Sequence, residues 1–155
     1  MSARTTVTVI GLVLLVAYVA GSGFWVQTSG GWYSSLARPA WQPPDWVFGL
    51  IWPYNFTVLG IAMVVVPRRL QPSRLWLWLL VFAVSVAAAL GWSYLFYVPH
   101  SLMAASVCLL LAALATAPLL WTAWQVSRPL ALALLPYQLW LAIATTLSAG
   151  YASRN

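Results

Sequence analysis

The sequence predicts an all-α integral membrane protein, a bundle of five transmembrane helices with a structured first loop acting as a lid. Three observations carry this. The 155 residues are 63% hydrophobic and only 5% charged, whereas a soluble domain is about 25% charged. Such a chain has no charged surface to present to water, so lipid must be its solvent. Five apolar runs each have about the length that crosses a bilayer as a helix. A single connection between them is long, and it is rich in Trp and Pro. On length, residues 1–155 form one domain.

The spans are expected at 7–26, 47–66, 75–97, 102–124 and 130–151, with the lid at 27–46. The first span has a competing reading as a signal peptide. Arg4 precedes it, and Ala20-Gly21-Ser22 would suit cleavage. The run continues through Phe24, Trp25 and Val26, which gives it spanning length. The second stops at Pro67-Arg68-Arg69 and the third at Pro99-His100. Pro118 and Pro136 fall inside the last two spans, where kinks are expected. A closed barrel also satisfies its backbone in lipid. It needs period-two alternation, and the run 109–115 shows none.

All seven basic residues are Arg, and the net charge is +6. They are scattered between apolar runs, as topology signals are, and form no phosphate-binding face. No nucleic-acid partner is expected. Arg4, Arg68, Arg69, Arg74 and Arg128 fall on one side of the membrane, Arg38 and Arg154 on the other. The excess puts the N-terminus in the cytoplasm and the first loop and C-terminus outside.

The same scarcity of charge excludes function classes. No span contains Lys, Arg, Asp, Glu or His. Proton-coupled transporters usually place such groups in their spans, and general acid–base catalysis needs a poised carboxylate or His. One His, one Cys and one Asp make no metal cluster, so no metal site is expected. His100 reads as an interfacial loop residue, against axial ligation of a metalloporphyrin. Cys108 reads as helix packing.

The aromatic content is the second anomaly, at 11 Trp, 7 Tyr and 5 Phe. Trp76 and Trp78, close after Arg74, read as interfacial anchors. The lid holds Gly30, Gly31, Trp32, Tyr33, Arg38, Pro39, Trp41, Pro43, Pro44, Asp45 and Trp46. Three prolines restrict its backbone, and its aromatics give it an apolar surface of its own. Arg38 and Asp45 have two readings. They are a charge pair holding the lid, with Arg38 alternatively meeting a ligand carboxylate, or two solvated loop charges.

The string Trp32-Tyr33-x-x-Leu36-x-Arg38-Pro39-x-Trp41-x-Pro43-Pro44-x-Trp46-Val47-Phe48 resembles the signature of the TspO/MBR family of tryptophan-rich sensory proteins and translocator proteins. The similarity continues at Trp52, Phe56 and Gly60. It resumes at Trp92-Ser93-x-Leu95-Phe96-Tyr97 and ends at Pro136-Tyr137-x-x-Trp140-x-x-x-Ala144-x-x-Leu147. The resemblance implies a five-helix bundle, often a homodimer, with a pocket between the helices under the first loop. Porphyrins such as protoporphyrin IX or haem are the implied ligands, with other apolar small molecules as alternatives and no obligatory cofactor. It also implies a bacterial source and a sensory or regulatory role in tetrapyrrole metabolism. Light-dependent porphyrin degradation would make the protein an enzyme, and a subunit that has lost ligand binding is a further alternative.

The resemblance implies ligand-binding roles for Tyr33, Trp41, Trp46, Phe48, Trp52, Ala89, Trp92, Phe96, Trp140, Ala144 and Ser148. It implies lid roles for Trp32, Arg38, Pro39, Pro43, Pro44 and Asp45. Ala89 and Ser148 stand where the family has Asn, so the pocket should be more apolar, with fewer donors. No catalytic residue is assigned. The small residues Ala83, Ala87 and Gly91 share a helix face suited to close approach, either in a homodimer or within one bundle. Leu147-x-x-x-Tyr151-x-x-Arg154 fits a weak cholesterol pattern, and a Tyr-Arg interfacial anchor explains it equally.

Overall fold

The computed structural model describes residues 2–27 and 31–155. Gly30 of the lid therefore lies outside the described residues. The elements are α1 (Ala3–Gln27), α2 (Trp32–Ser35), α3 (Asp45–Arg69), α4 (Leu75–Tyr97), α5 (Leu102–Val126) and α6 (Arg128–Ala152). A 3-10 turn at Pro72–Arg74 leads into α4. All but α2 are long and apolar enough to cross a membrane, and no strand occurs among the described residues. The protein is an integral membrane protein.

The long helices outrun the apolar segments. A helix of 25 residues, as in α1, α3, α5 and α6, is about 37 Å long against a hydrocarbon core of about 30 Å. The extra turns hold polar residues. In α3 these are Asp45 in the first turn and Arg68 and Arg69 in the last, each the sign that the helix dipole favours there. Pro44, with ψ at 149°, delivers an extended chain into α3.

The five long helices form a closed ring in the order α1, α3, α6, α5, α4. Val13, Val16, Leu77, Leu80, Leu114 and Leu139 point outward and are exposed, as a lipid-solvated surface requires. The interior has two halves. Near Arg4 and Arg69 it is a packed core, with Val7, Leu59, Met63, Val66, Leu75, Phe82, Leu109 and Leu141 buried. At the other end Phe96, Ala105 and Tyr151 form a smaller cluster, against which Trp32, Tyr33 and Leu36 pack.

One expectation changes. Trp76 is exposed, but Trp78 is 5% exposed and stacks on Phe82. Residues two apart on a helix lie about 200° apart around it, so only one of the pair can face the interface. The small residues of α4 have different surroundings. Ala87 is exposed, but a Cβ at Gly91 would sit 3.5 Å from the Cys108 sulfur of α5.

Candidate ligand cavity

The lid is built from short local bonds. Ser34 and Ser35 turn their hydroxyls back onto the carbonyls of Gly31 and Trp32, each at 2.7 Å. The Gln42 amide closes a turn on the Pro39 carbonyl at 3.1 Å. Trp32 is sandwiched at the edge of the bundle. It stacks on His100 at 3.7 Å and 16° and meets Phe96 edge-on at 5.7 Å. His100 takes a φ of 57°, which places its ring over Trp32 in the tight α4–α5 connection.

The C-terminal end of α6 clamps the lid. The Asn155 side chain accepts from the Ala37 amide at 2.9 Å and donates to the Ala37 carbonyl at 3.3 Å. The Tyr151 hydroxyl bonds the Tyr33 hydroxyl at 3.2 Å and also the Gln42 side-chain carbonyl. The Arg154 guanidinium lies over the Trp41 ring at 5.4 Å. Pro39 and Trp41 press on Gly150 so closely that a Cβ there would fall 2.9 Å and 2.8 Å from them. Only glycine admits that approach.

Beneath the lid lies a cavity of about 550 Å³. On the α3 side its wall is Phe48, Trp52 and Phe56. Facing them are Trp92, Phe96 and Tyr97 of α4. Trp140, Ala144 and Ser148 of α6 form the third wall, and Val19 and Ser22 of α1 the fourth. Tyr33, Gln42 and Asp45 complete the rim. The rings brace one another. Trp140 meets Phe48 edge-on at 5.1 Å and Trp52 at 6.4 Å, while Trp52 stacks on Phe56 at 5.4 Å.

Several polar groups in the walls are bonded to one another or to the backbone. The Trp92 indole donates to the Ser148 hydroxyl at 3.2 Å, Ser148 and Ser106 bond at 2.9 Å, and Ser106 donates to the Leu102 carbonyl at 2.8 Å. Each hydroxyl has one proton, and these bonds use both. The Trp140 indole N–H is buried without a partner among the described residues. Below the cavity the Tyr18 and Tyr137 hydroxyls meet at 3.4 Å, and Ser85 bonds Thr116 at 2.9 Å.

The sequence that builds this cavity matches a known family. The TspO/MBR family model matches residues 9–154. The chain belongs to the TspO/MBR family. It is 31% identical over 140 residues to the tryptophan-rich protein TspO of Chlorobaculum tepidum, across 90% of this chain and 88% of that protein. It is 34% identical over 137 residues to the translocator protein of Ovis aries, across 84% and 75% of the two chains. Protein CrtK of Rhodobacter capsulatus is 29% identical over 147 residues, across 92% of this chain and 90% of its own.

Of the residues singled out from the TspO/MBR signature, Tyr33, Phe48, Trp52, Trp92, Phe96, Trp140, Ala144 and Ser148 line the cavity, with Asp45 at its mouth. Three do not. Trp41 and Trp46 are 51% and 67% exposed, and Trp41 lies outside, against Gly150 and Arg154. Ala89 is buried in the packed core. Among the described residues no ion pair joins Arg38 to Asp45, and Arg38 lies within electrostatic reach of the Tyr151 hydroxyl.

Several lining residues were not singled out. Gln42 stands at an unspecified position of the first signature string, and Tyr97 ends the Trp92–Tyr97 string without a role attached to it. The α1 wall of Val19 and Ser22 is indistinguishable in sequence from the rest of an apolar span. Leu147 and Tyr151 fell within the cholesterol pattern, yet both are buried and line the cavity, while Arg154 turns to the lid.

Proposed function

We propose that the protein is a membrane-embedded binding protein for flat aromatic ligands of the porphyrin or tetrapyrrole type, with a sensory or regulatory role. The observation that carries this is the cavity of about 550 Å³ with Trp52, Trp92 and Trp140 on three of its walls. Small-molecule pockets run from about 300 to 1,000 Å³ and are mostly apolar, with few polar groups. Broad indole faces suit a conjugated macrocycle, since aromatic pairs contribute about 0.5–1.5 kcal/mol beyond area burial.

Among the described residues the lining contains no His, Cys or Met. The Tyr33 and Tyr151 hydroxyls bond each other. A stacked macrocycle therefore fits these walls better than an axially ligated iron. Titrating protoporphyrin IX into detergent-purified protein while following Trp fluorescence tests the assignment. Saturable quenching is expected, weakened at least tenfold in the Trp52→Phe, Trp140→Phe double variant. No saturation, or an unchanged curve in that variant, contradicts it.

A further inference from the structure

We propose that the ligand reaches this cavity sideways from the lipid, through a cleft between the lid-side halves of α1 and α3. In their other halves the two helices are in close contact. A Cβ at Gly11 would fall 2.6 Å from the Met63 sulfur, and one at Gly60 would lie 3.5 Å from Leu15. Tyr18 continues the contact, edge-on to Phe56 at 5.2 Å and to Trp52 at 6.3 Å. Beyond Tyr18, α1 leans on α4 instead. A Cβ at Gly21 would press on Leu90 at 2.7 Å, Trp25 meets Tyr94 edge-on at 5.6 Å, and the Ser93 hydroxyl donates to the Ser22 carbonyl at 3.5 Å. On α3, Gly49 continues the stripe of Met63, Gly60, Phe56 and Trp52, which recurs every three or four residues on the face toward α1. Yet a Cβ at Gly49 would meet nothing within 4 Å among the described residues, and the same holds at Gly23 of α1.

The cleft leads into the cavity. Val19 and Gly23 line the cavity and are exposed, Val19 at 43%, whereas Phe96, Trp140 and Ser148 on α4 and α6 line it at no more than 4% exposure. An exposed valine within a span faces acyl chains, so this side of the cavity borders lipid. The position of the opening suits an amphiphile. A porphyrin ring dissolves among acyl chains, while its carboxylates stay at the membrane surface and avoid the cost of burial. Because the cleft opens at the lid end, the ring can slide in edge-first with the carboxylates still at that surface. The charges there are mixed: Arg38 within electrostatic reach of the Tyr151 hydroxyl, Arg154 over the Trp41 ring, and Asp45 at the mouth. The lid roofs the cavity toward water, and loosening it adds a second route while leaving this one in place.

The inference rests on the cavity being the ligand site, and the experiment separates the two. Protein in phosphatidylcholine nanodiscs is mixed with protoporphyrin IX, and Trp quenching is followed by stopped flow. Gly49→Trp fills the cleft from a residue outside the cavity lining. It should slow association and dissociation by the same several-fold factor. The Kd is the ratio of the two rates, so it should stay unchanged, as it would not if the added ring reshaped the cavity. Gly49→Ala, too short to cross the cleft, should keep the parent rates. Parent rates in Gly49→Trp, or a change in only one of the two rates, overturn the inference.

A second measurement needs no substitution. The monooctadecyl ester of protoporphyrin should bind the parent protein as tightly, per mole of lipid, as the monomethyl ester, because its chain trails through the cleft into the bilayer. Binding of the methyl ester alone overturns the inference. If neither ester nor the free acid quenches saturably, the cavity assignment itself fails, and the inference falls with it.

Discussion

Ser148 fixes the orientation of Trp92, and it does so with an oxygen that stands where the family resemblance gives an amide. Its hydroxyl accepts the indole N–H and is bonded in turn to Ser106. A buried donor stripped of its acceptor costs about 1–3 kcal/mol. Ser148→Ala should therefore lower stability by about that amount, read as a drop in the thermal melting midpoint in detergent. It should also blunt quenching by a bound porphyrin, because Trp92 loses its anchor. Asn55 is the opposite case. Its side chain is fully buried in α3, one turn from Trp52, and neither amide atom has a partner among the described residues. Asn55→Leu keeps the approximate volume and removes that desolvation cost. Its melting midpoint should rise, and a fall would show that the amide has a partner in the membrane.

Among the elements, the lid and the end of α6 act as one unit. Asn155 pairs with both backbone groups of Ala37, Tyr151 holds Tyr33 and Gln42, and Gly150 receives Pro39 and Trp41. Hydrogen bonds of this kind contribute about 0.5–1.5 kcal/mol each. Asn155→Ala should let the lid open more often, speeding both ligand association and dissociation several-fold, as stopped-flow fluorescence would show. Unchanged rates would mean that the lid does not gate the cavity. None of this pairing was legible in the sequence, because its partners lie more than a hundred residues apart and include backbone groups. The spans were legible, since lipid imposes an apolar run of fixed length on every helix that crosses it. Their ends were not, because helices continue past the apolar run into residues such as Asp45 and Arg128. The four residues of α2 are too few to show a period.

At the scale of the whole molecule, the ring of helices divides the tryptophans by environment. Trp76, Trp121 and Trp124 are exposed, and Arg128 lies 5.8 Å over the Trp124 ring. Trp78 is packed in the core, while Trp52, Trp92 and Trp140 face the cavity. Composition alone announced the excess of tryptophan, and the motif strings led to eight lining residues. Hydropathy could not show which side of an apolar helix faces inward, so the α1 wall stayed hidden, while the pocket role that the family resemblance implies for Ala89 falls on a residue of the packed core. The central claim is that the cavity under the lid holds the ligand. A structure determined with protoporphyrin IX tests it most directly. The account predicts macrocycle density beneath the lid, in ring contact with Trp52, Trp92 and Trp140. Density confined to the lipid-facing surface, with the cavity unchanged, would contradict it.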